Sequence, residues 1–164
     1  MKKILCFALA LMMCLTLAAS ALAETATYAS TQAVMDAMDA NGLKYELLGV
    51  VDSGDEVIHL TFNGDDTSFD FYLFFSDDQE LTDIFVWDVI SFDEADFTTV
   101  ALVCNALNTK YRFTKFYAED DNTVTCDMNV IYRDHDVGEI VVEALYHVAS
   151  IVDECYEMLA PYNK

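Results

Sequence analysis

A chain of 164 residues that is 54% apolar and 13% aromatic, with only 5 Gly and 1 Pro, has the makings of one packed domain and excludes a collagenous, proline-rich or wholly disordered protein. Its net charge is −21, from 29 acidic against 8 basic residues, so it holds no basic stripe to neutralise phosphates. Nucleic acid is excluded as a direct partner on that ground, and an anionic membrane surface is disfavoured.

Residues 1–23 read as a signal peptide. Lys2 and Lys3 open it, residues 4–15 are uninterruptedly apolar, and Ala21-Leu22-Ala23 is the small-x-small pattern that a signal peptidase cleaves. An uncleaved anchor is the alternative, since residues 4–23 approach the roughly 20 needed to span a bilayer. The small residues that end the run favour cleavage after Ala23. The expectation is an exported protein (secreted, periplasmic or of the cell envelope) with a single domain over residues 24–164 and no membrane contact once the leader is gone. Cleavage removes Cys6 and Cys14. Cys104, Cys126 and Cys155 are left, an odd set without the spacing of a disulfide scaffold, and they read as buried reduced thiols.

In the domain, Ser30 or Thr31 can cap a first helix with Val34, Met35 and Met38 on its apolar face and Asn41-Gly42 as its left-handed stop. Four stretches rich in β-branched and aromatic residues follow, at 45–51, 56–62, 68–75 and 83–90, separated by acidic turns. In the second, Ile58, Leu60 and Phe62 share one face, and Val57, His59 and Thr61 the other. The third is apolar on both faces, with Phe69, Phe71, Leu73 and Phe75 on one and Tyr72 and Phe74 on the other, which predicts a sheet covered on both sides by helices or by a second subunit. Ser91-Phe92-Asp93-Glu94 reads as a capping box opening a second helix, along which Phe97, Val100, Ala101, Cys104 and Leu107 recur at helical steps. Residues 111–118 and 123–132 then form a hairpin, and a third helix from about Val137 carries an aliphatic stripe from Ile140 to Leu159. The predicted fold class is α+β, an antiparallel sheet with flanking helices in the order α-β-β-β-β-α-β-β-α.

The second helix and the hairpin resemble the YbjN family, bacterial proteins labelled sensory-transduction regulators. The resemblance is carried by Asn105-Ala106-Leu107-Asn108 at the helix end, then by Tyr111-Arg112-Phe113 and Lys115. An acidic hairpin tip, a strand ending near Tyr132 and a long closing helix with Glu154 and Glu157 follow in the family's order. The similarity spans roughly residues 31–159. It implies the fold of type III secretion chaperones, with a homodimer as the first expectation and client binding as the second.

Catalysis finds no starting residue. His59, His135 and His147 are the only imidazoles, none beside a recognisable nucleophile, and there is no G-x-S-x-G turn, P-loop or G-x-G-x-x-G element. Arg133-Asp134-His135-Asp136 has residue types that suit a divalent ion, yet reads more simply as a polar turn in which Asp134 or Asp136 caps the third helix. The acidic pairs at 65–66, 77–78 and 120–121 lack the alternating spacing that wraps calcium. No enzyme, cofactor or metal site is therefore expected. Asn105 and Asn108 project from one helix side, and Arg112 and Lys115 are scarce positive charges in a negative field. They form a candidate recognition patch, or else they satisfy the helix end and a nearby carboxylate. Tyr72 and Phe74 are the candidate apolar contacts.

The function this predicts is an exported, non-enzymatic protein-interaction module, chaperone-like or regulatory, binding a protein or peptide partner on an apolar sheet face. The competing class is a small-ligand or divalent-cation binder of the cell envelope. N-terminal sequencing of the exported protein should begin at Glu24, and recovery of Met1 on membrane-bound material would mean a tethered domain instead.

Overall fold

Strands β1 (Glu46–Val50), β2 (Glu56–Asn63), β3 (Ser68–Phe75) and β4 (Leu81–Ser91) run as the predicted meander, and the hairpin of β5 (Lys115–Ala118) and β6 (Thr123–Ile131) joins it through β6. Every pairing is antiparallel, and the order across the sheet is β1-β2-β3-β4-β6-β5. Helices α1 (Ala29–Ala40), α2 (Phe97–Lys110) and α3 (Val137–Leu159) complete an α+β fold. The computed structural model describes residues 25–76, 78, 80–133 and 136–164; the predicted leader lies outside them.

Strand register sorts the side chains into two faces. Ile58, Leu73, Ile84 and Met128 lie side by side across the sheet, and Leu60, Phe71, Val86, Cys126 and Phe116 form the next row. All three helices bring their apolar stripes to this face. Val34 and Met38 of α1, Val100 and Leu107 of α2, and Val141, Leu145 and Val152 of α3 join the strand residues in one buried cluster. Of the two coverings that the doubly apolar β3 predicts, helices on both faces are absent among the described residues: the helices lie on one side only. Cys104, Cys126 and Cys155 are free and buried in that core. Burial pushes the Cys104 and Cys155 thiols up to about 11, which keeps them protonated and unreactive.

Helix starts differ most from expectation, because their caps come from distant residues. Tyr28, not Ser30 or Thr31, occupies the N-cap of α1, and its own side chain makes no cap bond. The cap is Glu56 at the start of β2, whose carboxylate accepts the N–H groups of Thr27 at 2.7 Å and Tyr28 at 2.9 Å. The Tyr28 hydroxyl donates to the carbonyl of Gly54 at 2.6 Å, so the segment ahead of α1 is strapped to the β1–β2 turn. Ser91 does not open α2. It continues β4 opposite Thr123, its N–H donates to Asn163 Oδ1 and its carbonyl accepts the Lys164 N–H, so a short 3-10 turn (Glu94–Asp96) intervenes and α2 begins at Phe97. Asp136 does occupy the N-cap of α3, in a left-handed conformation and without a side-chain cap bond; Asp134 and His135 lie outside the described residues.

Gly138 sits where α3 meets α1. A Cβ there would come within 2.4 Å of the Ala33 carbonyl oxygen and 2.9 Å of the Ala37 Cβ. Replacing a helical glycine by alanine ordinarily stabilises by about 1 kcal/mol, but here the obstacle is backbone and cannot rotate away. Gly138→Ala should therefore lower stability by about 1–3 kcal/mol in a urea titration, the scale of an overpacked core.

Glu56 gives a second expectation. Burial pushes its carboxyl up, and the N–H groups of Thr27 and Tyr28 together with the side chains of Thr31 and Thr27 outweigh that and hold it below its ordinary 4.5. A folded-state value lowered in this way adds stability that is complete above the unfolded value and is lost as pH falls through the folded one. Glu56→Gln should cost about 1–3 kcal/mol at neutral pH and flatten the acid limb of the stability profile below pH 4.5, as followed by thermal unfolding.

Candidate functional site

The sheet face away from the helices is not bare. His59, Tyr72, Phe85, Asp127 and Lys115 stand side by side across β2, β3, β4, β6 and β5, with Phe74, Asp83 and Asn129 in the adjoining row. His59 lies 4.8 Å from Tyr72 between ring centroids, and Tyr72 lies 4.6 Å from Trp87. Trp87 also stacks on Phe85 at 5.5 Å and meets Phe74 at 5.6 Å, and Phe74 and Phe85 pack edge to face at 5.7 Å. Five rings thus form one sheet-borne cluster that stands apart from the buried core. Trp87, the single tryptophan of the chain, is its centre and is 40% exposed.

A bulge in β4 begins at that indole. Between Val86, opposite Cys126, and Ile90, opposite Val124, β4 advances four residues while β6 advances two. Trp87 faces out by the same alternation as Asp83 and Phe85, and the excess sets Asp88 beside it at φ 53°, a left-handed value that Asp tolerates better than most residues.

Carboxylates rim the rings. Asp70 accepts the Thr61 hydroxyl at 2.6 Å and lies 3.2 Å from His59 Nε2. The Thr61 bond chiefly, opposed by burial and aided by His59, holds Asp70 below the usual carboxylate range. Asp127 is pushed above that range by burial, against the hydrogen bond that the Tyr117 hydroxyl donates at 3.3 Å; neighbouring Asp83, which also accepts from Asn129, adds to the rise. Two grooves flank Trp87. The larger, about 510 Å³, runs between Trp87 and Asp88 on one wall and Glu119, Asp120 and Asp121 of the β5–β6 tip on the other. The smaller, about 180 Å³, is bounded by Ser68, Asp70, Tyr72, Trp87 and Asp88.

Of the residues singled out from sequence, Tyr72 and Phe74 come together in this cluster. Asn105, Asn108 and Arg112 do not join them, since α2 lies on the opposite side of the sheet. Asn105 is exposed on that helix, and Arg112 is exposed in the loop that leads from it to β5. Asn108 directs its amide at edge strand β5: Nδ2 donates to the Phe116 carbonyl at 2.8 Å and Oδ1 accepts the Phe116 N–H at 2.7 Å. Both outward backbone groups of that residue are satisfied, as a further strand would satisfy them. His147 is exposed on α3, while His59 belongs to the ring cluster. Sequence reasoning passed over Phe85 and Trp87. Alternation in Asp83-Ile84-Phe85-Val86-Trp87 was the available signal, and what it lacked was the register that sets this strand beside Tyr72 and Phe74.

A third concavity, about 390 Å³, is lined by Asp65, Asp66, Ser150, Asp153, Glu154 and Glu157. Among the described residues no group of three or more His, Cys, Asp or Glu side chains is arranged to hold a metal ion. No described helix is long and apolar enough to cross a membrane.

The chain matches no curated protein. Among solved structures, it shares the fold of YbjN from E. coli, described as "a putative transcription regulator", with a TM-score of 0.57 at 11% identity, covering 77% of this chain and 87% of that one. The sequence model of the YbjN family, described as "Putative bacterial sensory transduction regulator", matches residues 30–160, which take in every strand and nearly the whole of α1 through α3. On that match the chain belongs to the YbjN family.

Proposed function

We propose that this protein is an exported regulatory module of its family that acts by protein contact, taking a partner on the open aromatic face of its sheet. The observation that carries the reading is the cluster of His59, Tyr72, Phe74, Phe85 and Trp87, which stands on rigid strands outside the core. Aromatic side chains are the usual anchors of protein interfaces, and a sheet presents them with little conformational freedom left to lose. Regulation through DNA contact does not suit a chain of net charge −21, so a regulatory role here works through another protein. Export rests on the leader at residues 1–23, and chaperone-like capture of an extended client is the finer form of the same reading.

The test places a charge in the contact. Tyr72→Asp and Phe74→Asp should each weaken self-association or crosslinked partner capture about tenfold or more, while His147→Ala on the helix layer changes neither. Light scattering and crosslinking in the cell envelope read the effect, with thermal unfolding alongside to show that the variants still fold. A protein that stays monomeric at high concentration, captures nothing and merely unfolds on Tyr72→Asp defeats the reading.

A further inference from the structure

We propose that the segment held on this face is basic: an extended stretch of a partner protein that lays apolar side chains on the rings and sets a Lys or Arg into the groove between Trp87 and the β5–β6 tip. The inference rests on the interaction reading above and names the chemistry of its occupant.

The groove joins two features that each favour a cation. It is lined by Trp87, an aromatic ring of the kind that draws ammonium and guanidinium groups, and by a row of three acids, Glu119, Asp120 and Asp121. Backbone bonds hold the walls in place. The Glu119 N–H donates to the Thr123 carbonyl at 2.8 Å, and the Asn122 N–H donates to the Glu119 carbonyl at 3.0 Å. The Asn122 carbonyl in turn accepts the Phe92 N–H at 2.9 Å, which ties the tip to the end of β4. The opposite wall is fixed by the β4 bulge. No described residue neutralises these acids by an ion pair. Among the described residues the ion pairs go to Glu46, Asp70, Glu154 and Asp93, and none reaches Asp88, Glu119, Asp120 or Asp121. Lys115 on the same face directs its Nζ to the carbonyls of Arg112 and Thr114.

Charge also decides between occupants. A second copy of the chain would bring another net −21 and the same acids against the first, and nucleic acid or an anionic bilayer carries the same sign. A neutral apolar segment would cover the rings and leave Asp88, Glu119, Asp120 and Asp121 facing it without a counter-charge. A segment alternating apolar and basic residues meets both: its apolar side chains lie on the rings, and a long Lys or Arg stem runs along the indole while its head reaches the acids.

Because Trp87 is the chain's single tryptophan, its emission reports on this site alone. The purified protein is titrated with three eight-residue peptides that alternate Tyr with Lys, with Ser or with Glu, with fluorescence read above the tyrosine band. The Lys peptide should shift the emission saturably with at least tenfold higher affinity than the Ser peptide. Added salt should weaken it, and the Glu peptide should not bind. The double variant Glu119→Gln/Asp120→Asn should lose about fivefold in affinity for the Lys peptide, the scale of two exposed ion pairs. Asp66→Asn/Glu157→Gln removes two charges from the other acidic groove and should lose nothing. Equal binding of the Lys and Ser peptides would overturn the basic partner while leaving the interaction reading intact. Equal losses in the two double variants would reduce the effect to overall charge and also overturn it. If no peptide binds and self-association alone responds to Tyr72→Asp, the occupant is a second copy and the proposal fails. If neither responds, the interaction reading falls with it.

Discussion

Helix α3 sets Val141, Leu145, Val148, Val152, Cys155 and Leu159 in one stripe, at steps of four and three, and all six are buried. Each aliphatic member contributes about 1.5–3 kcal/mol before the entropic cost of ordering it. At 1.5 Å per residue the helix is about 35 Å long, against about 24 Å for six strands set side by side. The helix is therefore long enough to reach across the width of the sheet, and α1 and α2 complete the layer. Tyr146 and Tyr156 meet Phe62 and Phe69 edge-on, α1 closes against the start of α3 at Gly138, and α2 packs beside β5. With that side complete, the aromatic residues of the other face are left to pack on one another.

A chain this acidic can fold so because its carboxylates sit where water reaches them. Many cluster in the turns between strands and around the rim of the open face, and the one buried carboxylate among the described residues, Glu56, lies at the N-terminus of a helix. Two N–H donors and the helix dipole replace the water that Glu56 gives up. Exposed acids cost the compact state through mutual repulsion, and the same field would draw a basic partner toward the face.

The faces of the strands were legible in the sequence because a period of two survives into the sheet: Ile58, Leu60 and Phe62 point one way and Tyr72 and Phe74 the other, as alternation requires. Helix stripes were legible for the same reason. Caps were not. Ser91-Phe92-Asp93-Glu94 satisfies the local pattern of a capping box, yet the Ser91 backbone is engaged by Thr123, Asn163 and Lys164, residues that no local window contains. Glu56 caps α1 from 28 residues away in the chain. Half of the candidate site was hidden similarly: Tyr72 and Phe74 declare themselves on β3, but their pairing with Phe85 and Trp87 depends on strand register. Asn108 carried a family resemblance that could be read as recognition, and its amide is engaged with the β5 edge.

The position of Trp87 follows from its neighbours in the chain. Val86 before the bulge and Ile90 after it are both fully buried on the core face, and Val89 is nearly so. Those anchors fix both ends of the excursion, so the two surplus residues have only the open side in which to go, and a non-glycine residue is held at positive φ as a result. Relaxing that strain by folding Trp87 inward would require dislodging Val86 or Ile90 from a close-packed core, which costs more than the strain itself. The exposure of the indole is thus imposed by the core on the far side of the sheet. The packing that stabilises the molecule and the surface that it offers to a partner are two consequences of one strand.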